Sequence, residues 1–83
     1  MILYVVTVIQ EDHIEEQTVY NDVDKAVQGM ICEMHRIAEE TDISYKRVKE
    51  LEQEMWQSSR DPDPSYKYTF SYYDIYIKMF TVN

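Results

Sequence analysis

Hydrophobic and polar positions change period several times along the chain. From Ile2 to Ile9 nearly every residue is apolar or β-branched. Ile2, Tyr4, Val6 and Val8 fall on one side of an extended backbone, and Leu3, Val5, Thr7 and Ile9 fall on the other. A strand apolar on both faces belongs in the middle of a sheet. Gln10 to His13 is polar and predicts a turn, without the Asn-Gly pair that favours the tightest hairpins. Ile14 to Tyr20 predicts a second, more polar strand at a sheet edge, where Glu15 and Glu16 discourage edge-to-edge pairing.

The period then becomes helical. Between Asn21 and Glu40, the residues Val23, Val27, Met30, Ile31, Met34, Ile37 and Ala38 share one face at about 100° per residue, while Lys25, Gly29, Cys32, Arg36, Glu39 and Glu40 point away from it. Asn21 and Asp22 can accept hydrogen bonds from the unpaired first-turn amides. Asp22 and Asp24 also complement the positive helix start. Thr41-Asp42-Ile43 interrupts the pattern. A second helix follows from Ser44 to Ser59, with Ser44 as its cap and Ile43 and Val48 placed as a hydrophobic staple. Its seam is Val48, Leu51 and Met55. A mixed stripe of Tyr45, Lys49, Glu52 and Trp56 belongs at the margin of the core.

Ser58 to Ser65, with Pro62 and Pro64, reads as a loop. Beyond it Tyr66, Tyr68, Phe70 and Tyr72 alternate with Lys67, Thr69 and Ser71. The phase then slips by one residue: Tyr73, Ile75, Ile77 and Met79 become the apolar set, with Asp74, Tyr76, Lys78 and Phe80 opposite. A one-residue slip turns every side chain over. The chain is therefore predicted to turn near Tyr72 to Asp74 and form a hairpin, since one strand of that length would be unusual.

The predicted fold is α+β: a small antiparallel sheet in the order β-β-α-α-β-β, with two helices packed on one face. Two helices in so short a chain cover only one side of the sheet. An apolar face bearing Tyr, Ile and Phe is left over, and such a patch implies an interaction surface, for a second copy of the chain or for another protein.

Composition sharpens the partner. The 83 residues predict a single domain, 1–83, with a small core. Sixteen acidic and eight basic residues give a net charge of −8, spread along the chain. That sign disfavours nucleic acid, whose non-specific binding runs on positive charge, and favours a basic protein partner. One cysteine precludes an internal disulfide. No apolar run approaches the roughly 20 residues of a membrane span. No basic leader precedes the first strand, so the expected compartment is the cytoplasm, that of the host if the chain is phage-encoded.

The residues offer little for catalysis. Cys32 and His35, three apart, could supply two metal ligands, but a zinc site needs three or four. Carboxylate pairs such as Glu15-Glu16, Glu39-Glu40 and Asp61-Asp63 are sequence neighbours, whereas acid-base work needs two in a cleft with separated pKa values. The one glycine, Gly29, is mid-helix, so no phosphate loop exists. The expectation is a protein without enzymatic activity, cofactor or metal.

Two functional readings remain. The acidic balance matches the profile of small proteins with which phages block host nucleases, repair enzymes or CRISPR effectors, an analogy of composition without a shared motif. Carboxylates on a rigid domain would stand in for a phosphate backbone before a Lys/Arg cleft. The candidate contacts are Glu11, Asp12, Glu15, Glu16, Glu39, Glu40, Glu50 and Glu54, with Tyr68 and Tyr76 from the tyrosine-rich sheet. Alternatively, Ile37 to Leu51 (IAEETDISYKRVKEL) resembles the helix-turn-helix of bacterial and phage repressors: an Ala in the first helix, an apolar residue then Ser opening the second, and later Val and Leu. That family lays its second helix in the major groove. The resemblance implies DNA contacts from Tyr45, Lys46, Arg47 and Lys49. It would also give a reason for cations at the start of the second helix, where its dipole disfavours them by a few tenths of a kcal/mol each. Asp42 stands where the family usually has Gly.

Overall fold

The computed structural model describes residues 1–70 and 72–83; Ser71, read above as a polar position of the third strand, lies outside them. The elements are β1 (Ile2–Gln10), β2 (His13–Tyr20), α1 (Val23–Thr41), α2 (Tyr45–Ser58), β3 (Tyr66–Phe70) and β4 (Tyr73–Thr81). The strands form one antiparallel sheet in the spatial order β2-β1-β4-β3. The α+β order expected from the periodicity is the one observed.

The two strands with apolar residues on both faces take the centre. β1 and β4 pair along their whole length, from Ile2 opposite Thr81 to Gln10 opposite Tyr73. β2 and β3 are the edges. On the covered face Val6, Val8, Ile75, Ile77, Tyr73 and Phe70 pack against Ala26, Val27, Met30, Met34 and Ile37 of α1 and Val48, Leu51 and Met55 of α2. Met30, Met34, Ile37, Met55 and Ile75 have no exposed surface. Burying each such side chain contributes roughly 1.5–3 kcal/mol.

The helix ends follow the local chemistry. Asp22 is extended and its carboxylate accepts the Lys25 amide at 3.1 Å; Ser44 does the same for the Arg47 amide at 3.2 Å. α1 stops where Asp42 adopts a left-handed backbone, φ 57°. Across the helix pair His35 Nε2 meets Glu52 Oε1 at 2.5 Å. The Ser58 and Tyr68 hydroxyls, 2.9 Å apart, tie α2 to β3.

Four local features depart from the sequence reading. The first turn is only Glu11-Asp12, because Gln10 and His13 already pair. Glu11 takes a left-handed φ of 55° despite its side chain, and its amide donates to the Tyr72 carbonyl at 2.9 Å, joining the two hairpin turns. Next, β2 carries a bulge: Val8 opposes Glu16 but Ile9 opposes Ile14, so Glu15 is the extra residue. Third, Gly29 does not point away from the packed side. A methyl group there would stand 2.7 Å from the Tyr20 ring carbon Cζ, so the glycine makes room for the end of β2.

The fourth departure concerns tyrosine. The predicted hairpin forms, but Phe70 and Tyr73 are directly paired across it. Their side chains therefore share a face, and Tyr66 and Tyr68 join them on the helix side. Of the strand tyrosines only Tyr76 lies on the uncovered face. That face consists mainly of Leu3, Val5, Thr7, Ile9, Ile14, Val19, Tyr76 and Phe80, so it is aliphatic rather than tyrosine-rich.

Candidate functional site

The bulge in β2 builds the most unusual cluster in the molecule. In a regular strand consecutive residues point to opposite faces. Here Glu15 and Glu16 both reach α1: Glu15 lies 3.6 Å from the Arg36 guanidinium, and the Glu16 carboxyl comes close enough to Glu33 to be perturbed by it. The extra residue makes this possible, since it lets the backbone turn between them.

On α1 the partners Glu33, Arg36 and Glu40 lie along one flank at helical spacing. Arg36 directs Nε and Nη2 at the same Glu33 oxygen, at 3.0 and 2.8 Å, and its Nη1 lies 3.9 Å from Glu40. Glu40 in turn accepts the hydroxyl of the buried Tyr73 at 2.8 Å. Three carboxylates, Glu15, Glu33 and Glu40, thus surround one guanidinium, and Glu16 crowds against Glu33.

The electrostatics show that the cation is not enough. The hydrogen bond that a protonated Glu16 can donate to Glu33 holds the Glu16 carboxyl above its ordinary range. Repulsion by Glu33, partial desolvation and Glu15 add to this, and Arg36 only partly opposes it. Arg36 itself is held charged more firmly, first by its bond to Glu33. The bond to Glu40, then burial, pushes the Tyr73 phenol up to about 12. Perturbed groups of this kind concentrate at functional sites, although structural networks produce them too.

The remaining sequence candidates divide by position. Glu11 and Asp12 are exposed in the turn that follows the Gln10–Tyr73 pair, and Glu39 is exposed beside Glu40 on α1. Glu50 and Glu54 form a separate group on α2, 3.2 and 3.8 Å from Arg47. Tyr68 and Tyr76 lie on opposite faces of the sheet and cannot serve one contact. Tyr68 is half-buried beneath α2 and borders a hollow of about 390 Å³ with Glu54, Gln57, Ser58, Asp61 and Tyr66. Glu33, Arg36 and Tyr73 were not singled out from sequence. The first two carried a signal, their spacing from Glu40 on a single helix flank.

Tyr45, Lys46, Arg47 and Lys49, the DNA contacts implied by the helix-turn-helix resemblance, are all exposed on α2. Arg47 is engaged by Glu50 and Glu54. Lys49 is engaged by Glu52 at 3.6 Å and by the Tyr45 ring, 5.3 Å from its centroid. Cys32 is exposed, and among the described residues no group of three or more His, Cys, Asp or Glu is placed to hold a metal ion. No helix among them is long and apolar enough to cross a membrane.

Fold and surface together define a class: a two-layer α+β chain with an acid-rich helix side. No family model matches the chain, and no curated protein or solved structure was found to be similar to it.

Proposed function

We propose that this chain is a non-enzymatic binding module that presents carboxylates to a basic protein surface, most concretely the nucleic-acid cleft of a nuclease or related enzyme. The observation that carries this reading is the convergence of Glu15, Glu33 and Glu40 on Arg36, with Glu16 crowded against Glu33 and driven toward protonation by it. Unit charges about 4 Å apart interact by roughly 1–4 kcal/mol between water and a protein surface. A partner bringing Lys and Arg side chains would relieve that repulsion, and the same field would steer it to the site. Glu11, Asp12 and Glu39 extend the acidic surface; Glu50 and Glu54 form a second, weaker pole.

The test is competition. The chain should be retained by a non-specific nuclease with a basic cleft at low salt, be released as salt rises, and be displaced by duplex DNA, while showing no affinity for the duplex itself. The combined variant Glu15→Gln, Glu16→Gln, Glu40→Gln should lose about tenfold or more in affinity, because truncating close charge pairs at such interfaces costs upward of ~1.5 kcal/mol. Equal retention of the variant would remove the reading.

One observation favours DNA reading by α2 instead. Asp42 supplies the left-handed turn that the repressor family makes with Gly. A duplex shift abolished by Lys46→Glu and Arg47→Glu would establish that alternative.

A further inference from the structure

We infer that the uncovered face of the sheet binds a second copy of this chain, around a two-fold axis that crosses β4 at Tyr76. The face is apolar: Leu3, Val5 and Ile9 from β1, Ile14 and Val19 from β2, Tyr76 and Phe80 from β4. Ile14 is 65% exposed and Val19 59% exposed, although both are β-strand residues opposite apolar partners. Only three strand charges share the face by register, Lys67, Asp74 and Lys78. The excess acid of a chain with net charge −8 lies elsewhere. Two copies of this net charge repel, and this face, with two lysines and one aspartate, is the side that adds least to the repulsion.

Size is also adequate. β1 and β4 have nine residues each, β2 eight and β3 five; at about 4.8 by 3.3 Å per residue the face covers on the order of 500 Å². Two such faces together reach the roughly 1,000 Å² at which a specific interface begins. The face is not flat. Val5, Thr7, Gln17, Tyr76, Lys78 and Phe80 line a depression of about 210 Å³ that a protruding side chain of the other copy can fill.

Charge selects the axis. Asp74 and Lys78 stand two residues before and after Tyr76 on the same face of β4. An axis across the strands at Tyr76 sets Asp74 of each copy over Lys78 of the other, whereas an axis along the strand sets like over like. Lys67, which pairs with Tyr76, lies on the same line, its ammonium 5.6 Å from the Tyr76 ring centroid, so the two copies of this cation face each other near the axis.

Sedimentation equilibrium at tens of micromolar tests the inference. The wild type should weigh twice the 10.0-kDa chain. Tyr76→Glu sets two carboxylates against each other at the axis and should weaken the dimer on the order of 100-fold. Asp74→Lys should weaken it about tenfold by creating Lys–Lys contacts. The double variant Asp74→Lys, Lys78→Asp should restore wild-type association. That recovery separates an interface effect from misfolding. A monomeric wild type overturns the inference, as does a dimer indifferent to Tyr76→Glu; failure of the double swap overturns the axis.

Discussion

The two faces of the sheet are built from the same kinds of strand and end in opposite conditions. Beneath the helices every apolar strand position from Val6 to Val8 and from Tyr73 to Ile77 is buried, and the polar groups at the margin are tied off: Tyr73 to Glu40, Tyr68 to Ser58. On the other face the Thr7 hydroxyl accepts a hydrogen bond from the Gln17 side-chain amide at 3.0 Å, amid exposed aliphatic residues. Charge is divided as sharply. The carboxylates gather on the helix side and around it, and the open face keeps almost none. Burial alone leaves a protein finished on one side, and the division of charge is what the two proposed contacts, one for each side, rest on.

That contrast can be broken first where it should be deepest. Met34→Ala, at a position without exposed surface, is expected to cost about 2–5 kcal/mol in urea unfolding. Val19→Ala on the open face should stay under about 1 kcal/mol when measured at protein concentrations too low for association. Similar losses at both sites would mean that the open face is part of the monomer's core.

A middle-sized effect probes how the helices are held over the covered face. Asp22→Ala and Ser44→Ala each remove a cap whose oxygen accepts a first-turn amide, and each should cost about 1 kcal/mol by thermal unfolding.

The smallest effects concern pH. The Tyr73 phenol is raised from 10.0 to about 12, so the stability it lends is fully present below pH 10 and disappears as pH climbs toward 12. Tyr73→Phe should flatten the unfolding profile in that window. Glu16 is also raised, from an ordinary 4.5. Its contribution is present in acid and lost as pH rises, so at pH 7 the carboxylate is a net cost. Glu16→Gln should therefore be slightly more stable than the wild type at neutral pH, with the gain fading below about pH 4.5.

Much of the covered side was legible in the sequence because it is written in local periods. Doubly apolar β1 and β4 belong at the centre. The stripe from Val27 to Ile37 and the seam of Val48, Leu51 and Met55 belong in the core, and the phase slip after Tyr72 announces a hairpin. What escaped has no local period. Nothing in Ile14-Glu15-Glu16 signals a bulge, since its cause is the register against Val8 and Ile9. A left-handed Glu11 offers no glycine to mark it. The side the tyrosines take is equally hidden, because it follows from the direct pairing of Phe70 with Tyr73, which keeps both on one face. The same holds for the site: Glu15, Glu16 and Glu40 stand out as acids, but the approach of Glu15 to Arg36 and of Glu16 to Glu33 joins a strand to a helix far along the chain.

The bulge that turns two successive glutamates onto one helix is the central claim, and the Glu16 carboxyl reports on it most directly. Carbon-13 NMR titration of the wild type and of Glu33→Gln measures it. A Glu16 pKa above 4.5 that falls back when Glu33 loses its charge is the expected result. An ordinary pKa in the wild type, unmoved by the substitution, would contradict the crowding on which the proposed binding surface depends.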